Sequence, residues 1–229
     1  MTKEEVILID NQKNYDVNIF SDYINAHKIM SLQAEKRDRI INAAIIEFTK
    51  GYHKANTDII VQNAEISKGS LFHYFGTKKE LFLFLFKYTI EIISYEYQKE
   101  SFESRDFLDN IWKLSMLSMK MTLNHATLYD FLIPGFFTIK EEFPEELSRD
   151  YKNPTEDILE KMIQNIDASL FREDIDIQKS CSIILWTIKG YSDSLMSYGD
   201  NMKDYKINYE KITKELNDYL SIMRKIFYR

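Results

Sequence analysis

Apolar residues recur at helical spacing along most of the chain from residue 33 onward. Ile40, Ala44, Ile45 and Phe48 fall on one face of a helix, and the charged residues of that stretch lie mostly elsewhere. Gly51 follows at a position typical of a helix C-cap. Two-residue hairpin signals such as Asn-Gly and Asp-Gly are absent from the sequence. The pattern therefore predicts an all-α protein.

Two short helices are predicted next, joined by a tight turn. Thr57 is placed to N-cap the first, and Ser67 is placed to N-cap the second, which ends at Gly76. Two short helices joined in this way and braced by a third helix are typical of a helix-turn-helix motif. The sequence predicts that motif at about residues 56–75.

Longer helices follow. A capping box at Thr77 and Glu80 predicts a long helix from Lys78 to about residue 100. Pro134-Gly135 is expected to break a later helix, because proline lacks the backbone N–H that a helix interior needs. Periodicity then predicts helices at about 104–123, 125–133, 144–166, 173–199 and 206–228.

Charge is unevenly distributed. The 229-residue chain has a net charge of −6, but residues 31–80 carry eight basic and six acidic groups, a net charge of +2. Residues 1–30 and 81–229 are net acidic, at −2 and −6. The single net-positive segment is thus the one that holds the predicted helix-turn-helix, which weakly favours binding to nucleic acid.

The chain lacks the marks of an exported, membrane or metal-binding protein. Cys181 is its only cysteine, so neither a disulfide within one chain nor a CxxC metal site is possible. No secretory signal is recognisable at the first residues, and the most apolar run, 81–86, is too short to span a bilayer. We expect a cytoplasmic protein with no metal, no cofactor and no membrane contact.

Residues 36–94 resemble the TetR-type (tetracycline-repressor-like) DNA-binding domain. The resemblance is dense and ordered, and therefore more specific than any lone short pattern. It is carried by Arg39-Ile40-Ile41-Asn42-Ala43-Ala44, Phe48, Gly51-Tyr52, Thr57, Ile60-Val61, Ala64, Ile66-Ser67-Lys68-Gly69-Ser70-Leu71-Phe72-His73-Tyr74-Phe75 and Lys78-Lys79-Glu80-Leu81.

The resemblance implies an organisation and a function. Residues 1–32 would be an N-terminal extension, 33–80 a three-helix helix-turn-helix DNA-binding domain, and 81–229 a helical ligand-binding and dimerisation domain. The protein would be a transcriptional repressor that binds a pseudo-palindromic double-stranded DNA operator as a homodimer. A small apolar or aromatic ligand would release it.

The resemblance also implies which side chains face DNA. Lys68 near a helix start can reach a guanine edge or a phosphate, and Ser70 can bond to either. Leu71 and Phe75 lie four residues apart and are expected in the core. The positions implied as DNA contacts are Thr57, Ser67, Lys68, Gly69, Ser70, Phe72, His73, Tyr74 and Lys78.

One position departs from the family pattern. Glu65 occupies the turn where the family usually has glycine. Glycine is favoured there because the turn needs a left-handed backbone, which costs another residue about 1 kcal/mol. The departure puts the turn geometry in question and leaves the motif itself intact.

Two further sets of residues are predicted in the C-terminal region. Apolar and aromatic side chains with a few polar anchors are typical of a ligand pocket, although such a stripe is also typical of plain core. The predicted pocket residues are Trp112, Ser115, Met116, Met119, His125, Phe131, Phe137 and Trp186. The resemblance implies dimerisation through the last two helices, at Ile183, Thr187, Gly190, Leu216, Tyr219, Leu220, Met223 and Phe227.

Two rival functions are weighed. An enzyme is disfavoured, because the four histidines are scattered and no HExxH, GxSxG or P-loop pattern occurs. An interaction protein that has lost DNA binding is supported only by Glu65 and the acidic overall charge. It predicts no salt-sensitive affinity for DNA, and the presence of Lys68, Ser70, His73 and Lys78 argues against it.

Overall fold

The computed structural model describes residues 26–146, 154–197 and 208–229, and this part of the chain is almost entirely helical. The all-α prediction is confirmed. The helices are α1 (Ala26–Met30), α2 (Ala34–Phe48), α3 (Thr57–Asn63), α4 (Lys68–Phe75), α5 (Lys78–Gln98), α6 (Phe107–Asn124), α7 (Ala126–Glu142), α8 (Glu156–Gln164), α9 (Ile177–Ser197) and α10 (Tyr209–Phe227). Most of the predicted N-terminal extension lies outside the described residues.

The described residues form two compact units, the first consisting of 26–92 and 127–146. Its core is built by the inward faces of α2 to α5 and α7. Phe48 of α2 packs edge-on against Phe82 of α5, with ring centroids 5.2 Å apart, and Phe131 of α7 packs against both. Ile29 of α1 joins the same core and is fully buried. Burial of so many aromatic and β-branched side chains stabilises the frame that carries α3 and α4.

The second unit consists of residues 93–126, 154–197 and 208–229. Helix α6 packs against α10 and α8, and α9 packs against α10. The chain end closes the unit through an isolated antiparallel bridge between Phe171 and Tyr228. Cys181 of α9 is buried, and burial raises the pKa of its thiol to about 11, as expected for a structural cysteine.

Helix α7 is longer than the sequence predicts. It continues through Pro134 and ends at Glu142, so the predicted break at Pro134-Gly135 is wrong, and Phe136 and Phe137 are helical. Its buried positions, Leu128, Phe131, Gly135 and Ile139, form one face that runs past the proline. Packing of that face outweighs a proline penalty of about 3 kcal/mol.

The bounds of a later helix also differ from the prediction. Of the helix predicted at 144–166, residues 144–146 and α8, Glu156–Gln164, are helical, and residues 147–153 lie outside the described part. Among the described helices, none is long and apolar enough to cross a membrane.

Candidate DNA-binding site

Helix α3 begins at Thr57, one residue earlier than the predicted cap at Thr57 implies. Asn56, not Thr57, is the N-cap, and its Oδ1 accepts a hydrogen bond of 2.8 Å from the backbone N–H of Asp58. Asparagine and threonine cap by the same mechanism, so the local sequence allowed either. Thr57 is instead the first helical residue, where the N–H groups of a helix point outward and attract anions such as phosphate.

The turn between α3 and α4 uses a left-handed residue. Glu65 has a φ of 53°, and the N–H of Ile66 donates to the carbonyl of Val61 at 3.1 Å, as in a Schellman motif. Arg39 of α2 braces this turn: its Nε donates to the Ala64 carbonyl at 2.9 Å, and its Nη1 lies 3.5 Å from Glu65 Oε2. The turn thus keeps its usual geometry without glycine.

Helix α4 presents one face outward and one inward. Ser67 caps it as predicted, its Oγ accepting from the Ser70 N–H at 3.0 Å, and Gly76 with a φ of 74° ends it. Leu71 and Phe75 are buried, as expected. Among the predicted DNA contacts on this helix and its cap, Ser67, Lys68, Gly69 and His73 are exposed, and Ser70, Phe72 and Tyr74 are half-buried.

An ion pair joins the two helices of the motif. Lys68 Nζ lies 2.8 Å from Asp58 Oδ1. Sequence reasoning missed Asp58, because ten residues separate it from Lys68 and only the helix-turn-helix geometry brings them together. Lys68, a predicted DNA contact, is therefore already paired with Asp58 in the protein without DNA.

Two other lysines also have defined partners. Lys36 of α2 donates to the Tyr74 hydroxyl at 3.3 Å and lies over its ring, so it orients a predicted DNA contact from outside the motif. Lys78 donates to the Ala55 carbonyl at 2.7 Å and lies over the Tyr52 ring. The ammonium group predicted to bind phosphate thus holds the loop that precedes α3.

A buried carboxylate fixes the same loop from the other side. Glu47 of α2 is buried; its Oε1 accepts from the Asn56 N–H at 3.1 Å, and its Oε2 pairs with Lys50 Nζ at 2.5 Å. Glu47 and Lys78 together position the start of α3. No signal in the sequence distinguishes Glu47 from an ordinary surface glutamate.

The residues predicted to bind a ligand fall into both units. Trp112, Ser115, Met116 and His125 are half-buried on or next to α6, and Met119 of the same helix is buried. Burial lowers the pKa of His125, with Glu96 opposing the shift and Lys99 acting in the same direction as burial, so the neutral imidazole is favoured.

The other predicted ligand residues have different surroundings. Phe131 belongs to the core of the first unit, and Phe137 is 55% exposed. Trp186 of α9 is 72% exposed, more than a residue enclosed in a pocket. A shallow groove of about 340 Å³ in the second unit includes none of the predicted residues; its lining residues are of polar and charged types, Ser101, Glu103, Ser104, Asp109, Asn110 and Lys113.

The predicted dimer residues divide by burial. On α10, Leu216, Leu220, Met223 and Phe227 are buried within the chain, while Tyr219 is 41% exposed. On α9, Ile183 is exposed, Thr187 is half-buried, and no atom lies within 4 Å of the place where a Cβ on Gly190 would stand. Exposed apolar side chains that the sequence analysis left out of this set are Trp186, Ile222 and Ile226.

Comparison with known proteins shows that the chain is similar to bacterial transcriptional regulators. Residues 40–85 match the family described as bacterial regulatory proteins, tetR family. A curated relative is the biofilm operon icaADBC HTH-type negative transcriptional regulator IcaR of Staphylococcus aureus strain Newman. It is 27% identical over 141 residues, which cover 57% of this chain and 67% of that protein.

Solved structures share the fold. A TetR family transcriptional regulator from Chloroflexus aurantiacus J-10-fl superposes with a TM-score of 0.61 at 15% identity, covering 89% of this chain and 98% of the other. GusR of Salmonella enterica gives a TM-score of 0.51 at 18% identity, covering 86% and 98%. At these identities the structures support the fold alone.

Proposed function

We propose that the chain is a TetR-type transcriptional regulator with a helix-turn-helix DNA-binding domain rather than an enzyme, and that it is a repressor. The proposal of repression rests on the name of the Staphylococcus aureus relative, a negative transcriptional regulator. The observation that supports specific DNA binding is the outward face of α4, where Lys68, Gly69 and His73 are exposed while Leu71 and Phe75 anchor the helix. Such a helix can enter the major groove.

The protein acts on its operator as a homodimer through α9 and α10. Five exposed apolar side chains support this interface, and their spacing of three residues on α9 and of three and four residues on α10 places them on one face of each helix. They are Ile183, Trp186, Tyr219, Ile222 and Ile226. Two recognition helices held about 34–36 Å apart then read successive major grooves of a pseudo-palindrome.

A small ligand bound next to α6 releases the protein from DNA. Half-buried Trp112 and Met116 supply apolar surface, and the neutral imidazole of His125 supplies a polar anchor. The ligand acts by favouring a conformation that fits DNA poorly, because a ligand shifts an equilibrium only through its different affinity for two states. Phe131, Phe137 and Trp186 are left out of this proposed pocket.

The first test is a genomic DNA pull-down with purified protein, followed by titration of the enriched site at two salt concentrations. The proposal expects a pseudo-palindromic site that is bound more weakly at higher salt. Lys68→Ala and His73→Ala should each weaken binding to that site.

Lys140→Ala is the matched control, because it removes the same charge from an exposed position on α7. It should leave DNA affinity unchanged. Failure to enrich any site, or binding that Lys68→Ala and His73→Ala leave intact, would favour an interaction protein over a repressor.

A further inference from the structure

The two helices of the helix-turn-helix are joined at their first turns by an exposed ion pair. Lys68 Nζ and Asp58 Oδ1 are 2.8 Å apart, and the two side chains are 52% and 64% exposed. Asp58 stands one residue after Thr57 in α3, and Lys68 stands one residue after Ser67 at the start of α4. The pair therefore lies among the positions proposed to contact DNA, and this inference rests on the proposed function.

We propose that Asp58 is a specificity-determining residue for DNA binding. Its carboxylate holds Lys68 away from the phosphates of non-cognate DNA. Lys68 is released only where a guanine edge replaces Asp58 as the partner of its ammonium group. The neighbouring cytosine amino group then gives the carboxylate a hydrogen-bond donor of its own.

Structural stability gives this carboxylate only a small role, the favourable interaction of an acidic side chain with the dipole at the first turn of α3. Both charges are well solvated, and ion pairs of this kind contribute little to folding. The start of α3 already has its side-chain cap, because Asn56 Oδ1 accepts from the Asp58 N–H at 2.8 Å. Asp58 thus adds a negative charge to a surface that must approach a polyanion, at a place where capping does not require it.

The ion pair between Asp58 and Lys68 matters for DNA binding because the motif carries few other charges. Lys68 is the only lysine or arginine in residues 57–75, and Asp58 and Glu65 are the only carboxylates there. Glu65 faces Arg39 from α2, so Asp58 is the carboxylate that neutralises the motif's own cation.

Binding to a phosphate and binding to a guanine therefore have different consequences. A phosphate that takes Lys68 leaves Asp58 unpaired beside a negative charge, which is unfavourable at short range. A guanine that takes Lys68 presents a cytosine donor next to the carboxylate, so both charges keep partners. Asp58 thus weakens non-cognate binding more than cognate binding, which is how repulsive elements produce specificity.

The test compares the full-length wild type with Asp58→Asn on two duplexes of equal length, the enriched genomic site and a random sequence, across several salt concentrations. We expect Asp58→Asn to tighten binding to the random duplex about tenfold and to steepen its salt dependence by about one unit per subunit. Affinity for the enriched site should change less than about threefold, so discrimination falls.

Two variants make the result specific. Asp174→Asn removes a carboxylate from another exposed ion pair, with Arg172 in the second unit, and should leave both affinities unchanged. Asp58→Glu keeps the charge within reach of Lys68 and should retain wild-type discrimination. Thermal unfolding of each variant checks that the fold is kept.

The other possible results of the binding measurements would each overturn either the role of Asp58 or the proposed function. Equal tightening on both duplexes would mean that Asp58 only repels phosphate in general, and no change on either would mean that the pair has no role; both overturn the inference while the repressor proposal stands. Absence of salt-dependent binding by the wild type would instead overturn the proposed function, and this inference with it.

Discussion

At the scale of single residues, Glu65 shows how a departure from a family pattern is accommodated. Among the described residues it is the only one besides glycine with a positive φ, and the Schellman hydrogen bond from Ile66 to Val61 still forms. Arg39 holds the preceding carbonyl and approaches the glutamate side chain. Neighbouring packing therefore absorbs a local backbone cost of about 1 kcal/mol.

Glu65→Gly should raise the free energy of unfolding by about 0.5–1 kcal/mol, since glycine has no Cβ to oppose a left-handed backbone. The exposed contact with Arg39 that is lost contributes less than this. Urea denaturation measures the change. Glu65→Ala is the control, because it removes the same carboxylate but keeps the Cβ; a glycine variant less stable than the alanine variant would contradict the account.

Some side chains bond to partners that are close in the sequence, and others bond to partners that are far away in it. Ser67 and Thr77 cap their helices as the sequence predicts, because the donor and acceptor lie three residues apart. Glu47, Asp58 and Lys36 act on partners 9, 10 and 38 residues away. Such pairs follow from the angle between helices, which no local pattern contains.

At the scale of helices, α7 depends on its neighbour rather than on its own propensity. Pro134 predicts a break, but Phe131, Gly135 and Ile139 continue one buried face across it. A Cβ added at Gly135 would stand 3.2 Å from the Phe86 ring, so glycine allows α7 to approach α5 closely. The contact that sustains the helix is therefore tertiary.

A second feature at this scale is the connection between the start of α6 and the end of the chain. Asp106 caps α6, and its carboxylate also accepts from Arg224 Nη1 at 2.6 Å and from the Tyr228 hydroxyl at 2.8 Å. Arg224 bonds to Asp109 as well. Burial alone would raise the pKa of Asp106, but these hydrogen bonds hold it below its usual value.

A carboxyl group whose pKa is lower in the folded than in the unfolded protein stabilises the fold fully when the pH is above the ordinary value of about 3.9. That contribution is lost as the pH falls through the lower pKa of the folded state. Asp106→Asn keeps a capping side chain but loses the charge. It should lower the free energy of unfolding by about 1 kcal/mol at pH 7, a figure reduced because solvent reaches Arg224.

Urea denaturation of both proteins at pH 7, 5, 4 and 3 checks this expectation. The stability difference should be constant down to about pH 5 and should shrink below about pH 4. A difference that persists undiminished at pH 3 would show that the charge of Asp106 does not contribute. Asp174→Asn, in an exposed ion pair of the same unit, is the control and should have little effect.

At the scale of the whole molecule, the proposed homodimer needs an exposed apolar surface. Leu216, Leu220, Met223 and Phe227 are buried within the chain, so the proposed interface does not rest on them. Tyr219, Ile222 and Ile226 of α10 remain exposed, as do Ile183 and Trp186 of α9. Exposed apolar residues arranged in a stripe commonly mark an interface.

Ile222→Glu and Trp186→Glu should therefore give monomers by analytical ultracentrifugation and weaken operator binding strongly, because a buried unpaired charge is unfavourable in an apolar interface. Helical content should be unchanged, since both side chains are exposed in the single chain. Ser221→Glu places the same charge on an exposed polar position of α10 and should leave the dimer intact. Dimers that survive both substitutions would contradict the proposed interface.

Local patterns were sufficient for the fold class, the helix-turn-helix and the inward positions of Leu71 and Phe75, because caps and periodicity depend on residues within about four positions of each other. The continuation of α7 through Pro134, the pairing of Asp58 with Lys68 and the exposure of Ile222 beside buried Leu220 were decided by tertiary structure. Periodicity shows that a helix has an apolar face, but only its neighbours determine how much of that face they cover. Contacts between distant elements also add enough free energy to override a local preference, as they do at Pro134.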